Sequence, residues 1–221
     1  SRGLGDVYKR QDVGTVSIRL ADSGHYNMML GATDMGTGCD TILAQIAADC
    51  LECDVDQIVV SGVDTDNSPY DSGSYASSTT YITGMAAVQA CGQLREKIVK
   101  TGADMLGADP EQADFDGAFV YILGDEERKV SLSDISTRSM CGNNMALEAS
   151  AAHSSPKSPP PFMCGMAEVE VDLATGQIEV VNYKAVVDCG TVVNPPLARV
   201  QAEGGIVQGI GMALYEDINY T

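Results

Sequence analysis

The order of apolar patterns along the chain predicts an α+β fold, and three observations carry the prediction. Val16, Ile18 and Leu20 alternate with Ser17 and Arg19, the period-two signature of a half-buried strand. Ile82, Ala86, Ala90, Leu94 and Ile98 recur at steps of four, which places them on one face of a helix. Ala167, Val169 and Val171 then alternate with Glu168, Glu170 and Asp172 ahead of the turn Ala174-Thr175-Gly176, so strand pairs and helices are interspersed.

The chain lacks an initiating Met, and Asp6-Val7-Tyr8-Lys9-Arg10-Gln11 reads as a translated library adapter, so residues 1–11 are expected to be a non-native leader. The run from Val16 to Leu20, the turn Asp22-Ser23-Gly24 and the run from Tyr26 to Leu30 predict a hairpin. A glycine-rich loop, Gly31 to Thr41, leads into a helix expected from Asp40 to about Leu51, and Gln57-Ile58-Val59-Val60 reads as a strand. Ser61 to Thr80 is a long polar stretch with almost nothing to bury, as a functional loop would be. The helix after it is expected to close near Lys97, Lys100 and Gly102.

Residues 103–160 read as an ancillary segment. It comprises an extended run near Phe115 to Leu123, a turn at Gly124-Asp125, a short helix beginning near Ser133-Asp134, and a connector made irregular by Pro156, Pro159, Pro160 and Pro161. Past the second hairpin, Asn194-Pro195-Pro196 opens a helix, with proline suited to its first turn. Gln201, Gly205, Gln208 and Gly209 share one face of it. Each glycine costs ~1 kcal/mol in a helix interior, so something is expected to approach that backbone closely. The predicted organisation is a leader (1–11), a first lobe (12–102), the ancillary segment (103–160) and a second, truncated lobe (161–221).

Formal net charge is -18, from 31 acidic and 13 basic residues, which argues against nucleic acid or an anionic membrane surface as a partner. Seven cysteines, an odd number without a secretory signal, suit a reducing cytoplasm better than a disulfide framework, and no apolar run is long enough to span a membrane. Asp40-Thr41 falls where a helix N-cap belongs, so the Gly31 to Thr41 loop is expected to offer unpaired backbone N–H groups as an anion cradle. It lacks the Gly-Lys-Ser/Thr ending of a nucleotide-binding P-loop. Cys50 and Cys53 lack a second pair at zinc spacing and read as idle thiols, and Cys39 as filling a small pocket. Asp64 and Asp66 read as turn and cap residues. His25 and His153 have no nucleophile partner that the sequence singles out.

Four motifs occur in a fixed order. They are Gly31-Ala32-Thr33-Asp34-Met35-Gly36-Thr37-Gly38; Asp64-Thr65-Asp66 with Ser68 to Ser77; Ala167 to Asp172 with Thr175-Gly176; and Gln201-Ala202-Glu203-Gly204-Gly205-Ile206-Val207-Gln208-Gly209-Ile210-Gly211. This set resembles the molybdopterin-binding large subunit of the xanthine dehydrogenase and aldehyde oxidase family, the molybdenum hydroxylases. The resemblance implies an α+β molybdopterin-binding domain, here a fragment, whose metal is ligated by the cofactor's dithiolene and not by protein side chains. Carried over by position, Met35, Gly36, Thr37 and Gly38 contact the pterin or its phosphate. Ser74, Tyr75, Ala76, Ser77 and Thr79 contact the phosphate or nucleotide end, and Gln201 reaches the pterin or the metal's oxo group. Many family members have Gln where Thr37 stands, so a shorter hydroxyl here leaves a gap or a water.

By the same resemblance the cofactor is molybdenum–molybdopterin, with or without a cytosine dinucleotide extension. The 2Fe-2S clusters and FAD belong to partner domains or subunits, the substrate is a small molecule, and the intact protein is an oligomer. No catalytic residue is assigned, because the family's glutamate base lies in a Gly-Glu-Pro-Pro-like motif downstream of this sequence. Two other readings remain at this stage: a non-catalytic phosphate or nucleotide-binding module, and a scaffold that uses glycine helices for subunit packing.

Overall fold

The computed structural model describes residues 12–142, 145–157 and 159–219; the expected leader, residues 1–11, lies outside them. Two compact units divide the chain, residues 1–158 and 159–221. In the first, β1 (Gly14–Leu20) pairs antiparallel with β2 (Tyr26–Leu30), Ile18 opposite Met28, as the alternation requires. β3 (Ile58–Ser61) joins β2 in parallel, which needs a crossover, and α1 (Cys39–Cys50) supplies it. The outer strand beyond β1 is β7 (Glu148–His153), giving the order β3-β2-β1-β7. No strand is expected there from sequence: the buried residues of β7 are Ala149 and Ala151, too small to make a strong alternation.

Val16, Ile18, Leu20, Tyr26, Met28 and Leu30 form one buried sheet face. It is covered by α1, through Leu43 and Ala47, and by α2 (Thr79–Leu106), through Ala86, Ala90 and Leu94. At 28 residues α2 is about 42 Å long, enough to serve a second sheet with its far half. That sheet is antiparallel: β4 (Ala113–Phe115), β5 (Phe119–Ile122) and β6 (Asp125–Ser131), followed by α3 (Leu132–Gly142).

The expected helix end at Gly102 is corrected by this packing. Gly102 is buried mid-helix, where an added Cβ would lie 2.6 Å from Val120 Cβ. The stop is Gly107, left-handed at φ 63°, with the Ala108 N–H reaching back to Ala103 O at 3.0 Å. Arg95 ties the layers together by donating to Glu52 Oε1 (3.0 Å), Asp114 Oδ1 (2.9 Å) and Phe115 O (3.0 Å).

The second unit holds the predicted hairpin, β8 (Phe162–Val171) and β9 (Ile178–Asp188), and the glycine-bearing helix α4 (Pro195–Leu214). Asn194 caps α4 by accepting the Leu197 N–H at 3.1 Å, ahead of the two prolines. No described residue of this unit is buried. A Cβ at Gly204, Gly205 or Gly209 would meet nothing within 4 Å, so whatever the glycine face admits is not another part of this unit.

Leu94 is fully buried and Leu173 is 95% exposed. Leu94→Ala is expected to cost ~2–5 kcal/mol and Leu173→Ala to stay within ~0.5 kcal/mol of wild type, as read from urea unfolding followed by circular dichroism.

Candidate functional site

Two of the predicted loops meet at one end of the four-stranded sheet. The Gly31 N–H is held by Thr15 O at 3.2 Å, and a Cβ on Gly31 would lie 2.6 Å from both Pro69 O and Asp71 Cβ. Only glycine lets the two chains pass so closely. The second loop is pinned to the start of β1: the Val13 N–H donates to Ser72 Oγ (2.9 Å) and the Ser72 N–H to Val13 O (3.0 Å). Both helices that follow these loops start at this end of the sheet.

The start of α1 differs from the expected open cradle. Its N-cap is Gly38, left-handed at φ 76°, one residue before the helix and two before Asp40. Asp34 reaches across the loop and accepts the N–H groups of Gly36 (2.9 Å), Gly38 (3.1 Å) and Asp40 (3.4 Å). Desolvation acts to raise the Asp34 pKa, yet the backbone donors Gly36, Gly38, Asp40 and Thr37 hold it below the usual carboxylate range. Three of the N–H groups expected to await a ligand anion, one of them in the first turn of α1, are thus engaged by a side chain. The signal was an aspartate followed by glycines two and four residues later, the same turn chemistry read correctly at Asp64. There, Asp64 Oδ1 accepts the Asp66 N–H at 3.0 Å.

Asp34, Cys39 and Asp40 place their ligand atoms within 4.8 Å of one another. Burial, then the Asp40 and Asp34 charges, push the Cys39 thiol up to about 11, so it stays protonated at neutral pH and is a poor metal ligand. Asp40 is raised, first by burial and then by Asp34. Cys39 is buried, as a pocket-filling residue would be. Cys50 and Cys53 are free, half-buried and raised chiefly by burial, which makes them unreactive.

Among the sequence-predicted site residues, Met35 is exposed (68%) and Thr37 half-buried. Gly36 is left-handed at φ 97°, and a Cβ there would meet nothing within 4 Å. In the second loop Thr79 Oγ1 donates to Ser74 Oγ at 2.7 Å, and Tyr75–Ser77 form a single 3₁₀ turn. Ser77 holds φ at 60°, a strained value for a residue with a side chain. The Ser78 N-cap of α2, like Gly38 before α1, makes no side-chain cap hydrogen bond. Gln201 lies in the other unit, exposed on α4. The polar side chains that unit 1 offers at these loops are therefore hydroxyls, the Gly36 and Gly38 N–H groups being held by Asp34, and the sequence holds no Lys or Arg between Arg19 and Arg95. That set fits a large hydrogen-bonded cofactor which brings its own metal ligands.

A family model described as the molybdopterin cofactor-binding domain matches residues 2–221. The chain belongs to this family. Among relatives of this domain, a protein named probable hypoxanthine oxidase XdhD, from Escherichia coli K12, is 36% identical over 219 residues, 99% of this chain and 22% of that protein. The nicotine 6-hydroxylase large subunit of Paenarthrobacter nicotinovorans is 31% identical over 231 residues, covering 100% of this chain and 28% of that subunit. Among solved structures, CO dehydrogenase from Oligotropha carboxidovorans superposes with a TM-score of 0.84 at 26% identity, over 94% of this chain and 26% of that one. Quinoline 2-oxidoreductase from Pseudomonas putida 86 does so at 0.81 and 27%, over 95% and 28%. The molybdopterin-binding chain thus spans about a quarter of the length of these relatives, and its α+β fold is theirs.

Asp34 is expected to titrate below the roughly 3.9 of a free aspartate, with the Gly36 and Gly38 amide resonances following the same curve by NMR. Because its folded pKa is depressed, the carboxylate's contribution to stability is present above the unfolded pKa and lost as pH falls through the folded one. Asp34→Asn should abolish that pH dependence; loop amides titrating at or above the free value would contradict the assignment.

Proposed function

We propose that this chain is the cofactor-gripping part of a molybdenum hydroxylase large subunit, and that the whole protein hydroxylates an N-heterocycle or an aldehyde with oxygen taken from water. The observation that carries the reading is the meeting of the Gly31 and Pro69–Asp71 loops at one sheet end, within a chain matched to the molybdopterin-binding family almost throughout. In balance, a C–H bond and water become C–OH, two protons and two electrons. When bound, the cofactor supplies the two-electron redox centre.

The chain's own residues bind and orient. Met35, Gly36 and Gly38 lie along the pterin, with Thr37 offering a hydroxyl. Ser74, Tyr75, Ala76, Ser77 and Thr79 take the phosphate or nucleotide end at the uncapped start of α2, where N–H groups and hydroxyls replace lysine. Gln201 contributes an amide from α4. Iron–sulfur and flavin partners carry the electrons away, and the working assembly is an oligomer in the cytoplasm. Among the described residues, no helix is long and apolar enough to cross a membrane.

The test is metal and pterin analysis of the full-length protein from its native host. Molybdenum and releasable pterin fluorescence are expected together, and Gln201→Ala or the double change Ser74→Ala/Thr79→Ala should lower pterin content by roughly tenfold, one lost hydrogen-bonded contact to a charged ligand being worth ~1.5–3 kcal/mol. Absence of both molybdenum and pterin would sink the reading. The 221-residue chain alone is expected to turn over no substrate, and measurable hydroxylation by it would contradict the division of labour.

A further inference from the structure

We propose that Asp71 is a positioning residue for cofactor capture: its side chain, set between Gly31 of the first loop and Thr83 of α2, holds the hydroxyl-bearing residues 74–79 at a fixed place beside that loop. The proposal rests on the cofactor-binding reading above and names the group that keeps the two loops in one arrangement.

Three separate stretches of chain converge on this side chain. From the first loop, Gly31 passes so close that an added Cβ would lie 2.6 Å from Asp71 Cβ. From α2, the Thr83 hydroxyl donates to Asp71 Oδ2 at 3.1 Å, and Thr83 itself is only 1% exposed. From β1, Gly14 packs on Thr83 so tightly that a Cβ there would overlap Thr83 Oγ1. The adjoining Ser72 is bonded to Val13, at the head of β1, through both its N–H and its hydroxyl oxygen. Packing on one side and hydrogen bonds on the other therefore leave the Asp71 carboxylate no room to swing.

The segment that follows leans on that anchor. Gly73 turns at φ 110° with its N–H on Asp71 Oδ1 (2.8 Å), and Ser77 is held at φ 60°. A strained residue of that kind persists where its surroundings over-determine it. The segment's own bonds are short-range: Tyr75 N–H to Gly73 O (2.9 Å), Ser78 N–H to Tyr75 O (3.1 Å) and the Thr79 hydroxyl to Ser74 Oγ (2.7 Å). Its ties to the sheet run through Asp71 and Ser72 at one end and through α2 at the other. The bond from Thr83 to Asp71, twelve residues apart, clamps those two ends together. A ligand that bridges both loops then meets hydroxyls already in place, and the ordering cost that would otherwise come out of its affinity is met in the fold.

The experiment uses the full-length protein with two readouts: releasable pterin per protein, and hydrogen–deuterium exchange of residues 72–79 in the cofactor-free form. Asp71→Ala and Thr83→Val, which removes the hydroxyl at nearly constant volume, should each lower pterin content by roughly tenfold. The double variant should lose no more than Asp71→Ala alone, since both changes break one bond. Exchange at residues 72–79 should quicken in both single variants while β1 and the far half of α2 stay protected, which a general loss of stability would not produce. Asp71→Asn keeps an acceptor for Gly73 and an amide for the Thr83 oxygen, so it should retain pterin, as should Thr83→Ser. Unchanged pterin in Asp71→Ala, or a loss in Asp71→Asn as deep as in Asp71→Ala, would overturn the proposal. A wild type without pterin removes the cofactor reading, whereas loop exchange indifferent to Asp71→Ala overturns the positioning role whatever the pterin content.

Discussion

Helix α2 can lie against β1 and β5 at once only because Gly14 and Gly102 have no side chains at the two contacts. A Cβ on Gly14 would overlap Thr83 Oγ1, and one on Gly102 would press into the Val120 side chain. The rest of the first unit follows from this double approach. The near half of α2 presents Ala86, Ala90 and Leu94 to the main sheet and the far half holds the β4–β6 sheet, so one rigid rod sets both layers. A third tight point has the same logic: a Cβ on Gly117, at φ 90°, would overlap the Glu52 carbonyl oxygen beside the Arg95 cluster. Close packing at these glycines fixes where α2 begins, and with it the position of Ser74 to Thr79 relative to Gly31.

Much of this was legible in the residues. Period two at Val16–Leu20 and Ala167–Val171 marked real strands, and steps of four from Ile82 to Ile98 marked the long helix, because burial on one face leaves that record. Two misreadings share a cause. Gly102 looked like a stop and Ala149–Ala151 looked like nothing, since a small residue required by a neighbour's close approach is indistinguishable, in sequence, from one that breaks an element or fills a linker. The glycine of a stop is separated from the glycine of a contact only by what packs on it, here Val120 for Gly102 and solvent for Gly107.

At the site, the loop was legible and its electrostatic state was not. Glycine spacing announced a sharp turn before a helix, but which partner takes the turn's N–H groups depends on how the loop folds back, and Asp34 is four residues from Gly38. The outcome is a loop whose Gly36, Gly38 and Asp40 N–H groups bind a carboxylate of the same loop. At α1 the carboxylate reaches into the first turn through the Asp40 N–H, while the Ser78 N-cap of α2 makes no side-chain hydrogen bond.

The absence of cations around these loops reaches beyond ligand choice. Trypsin cuts only after Lys or Arg, so from Leu20 to Arg95 the chain is one uninterrupted peptide that contains both site loops, α1 and the near half of α2. However much those loops open, that protease leaves no trace of it. Motion at this end of the sheet is open to a protease that cuts at acidic or aromatic residues, with Asp64, Asp66, Tyr70 and Tyr75 standing exposed in its path.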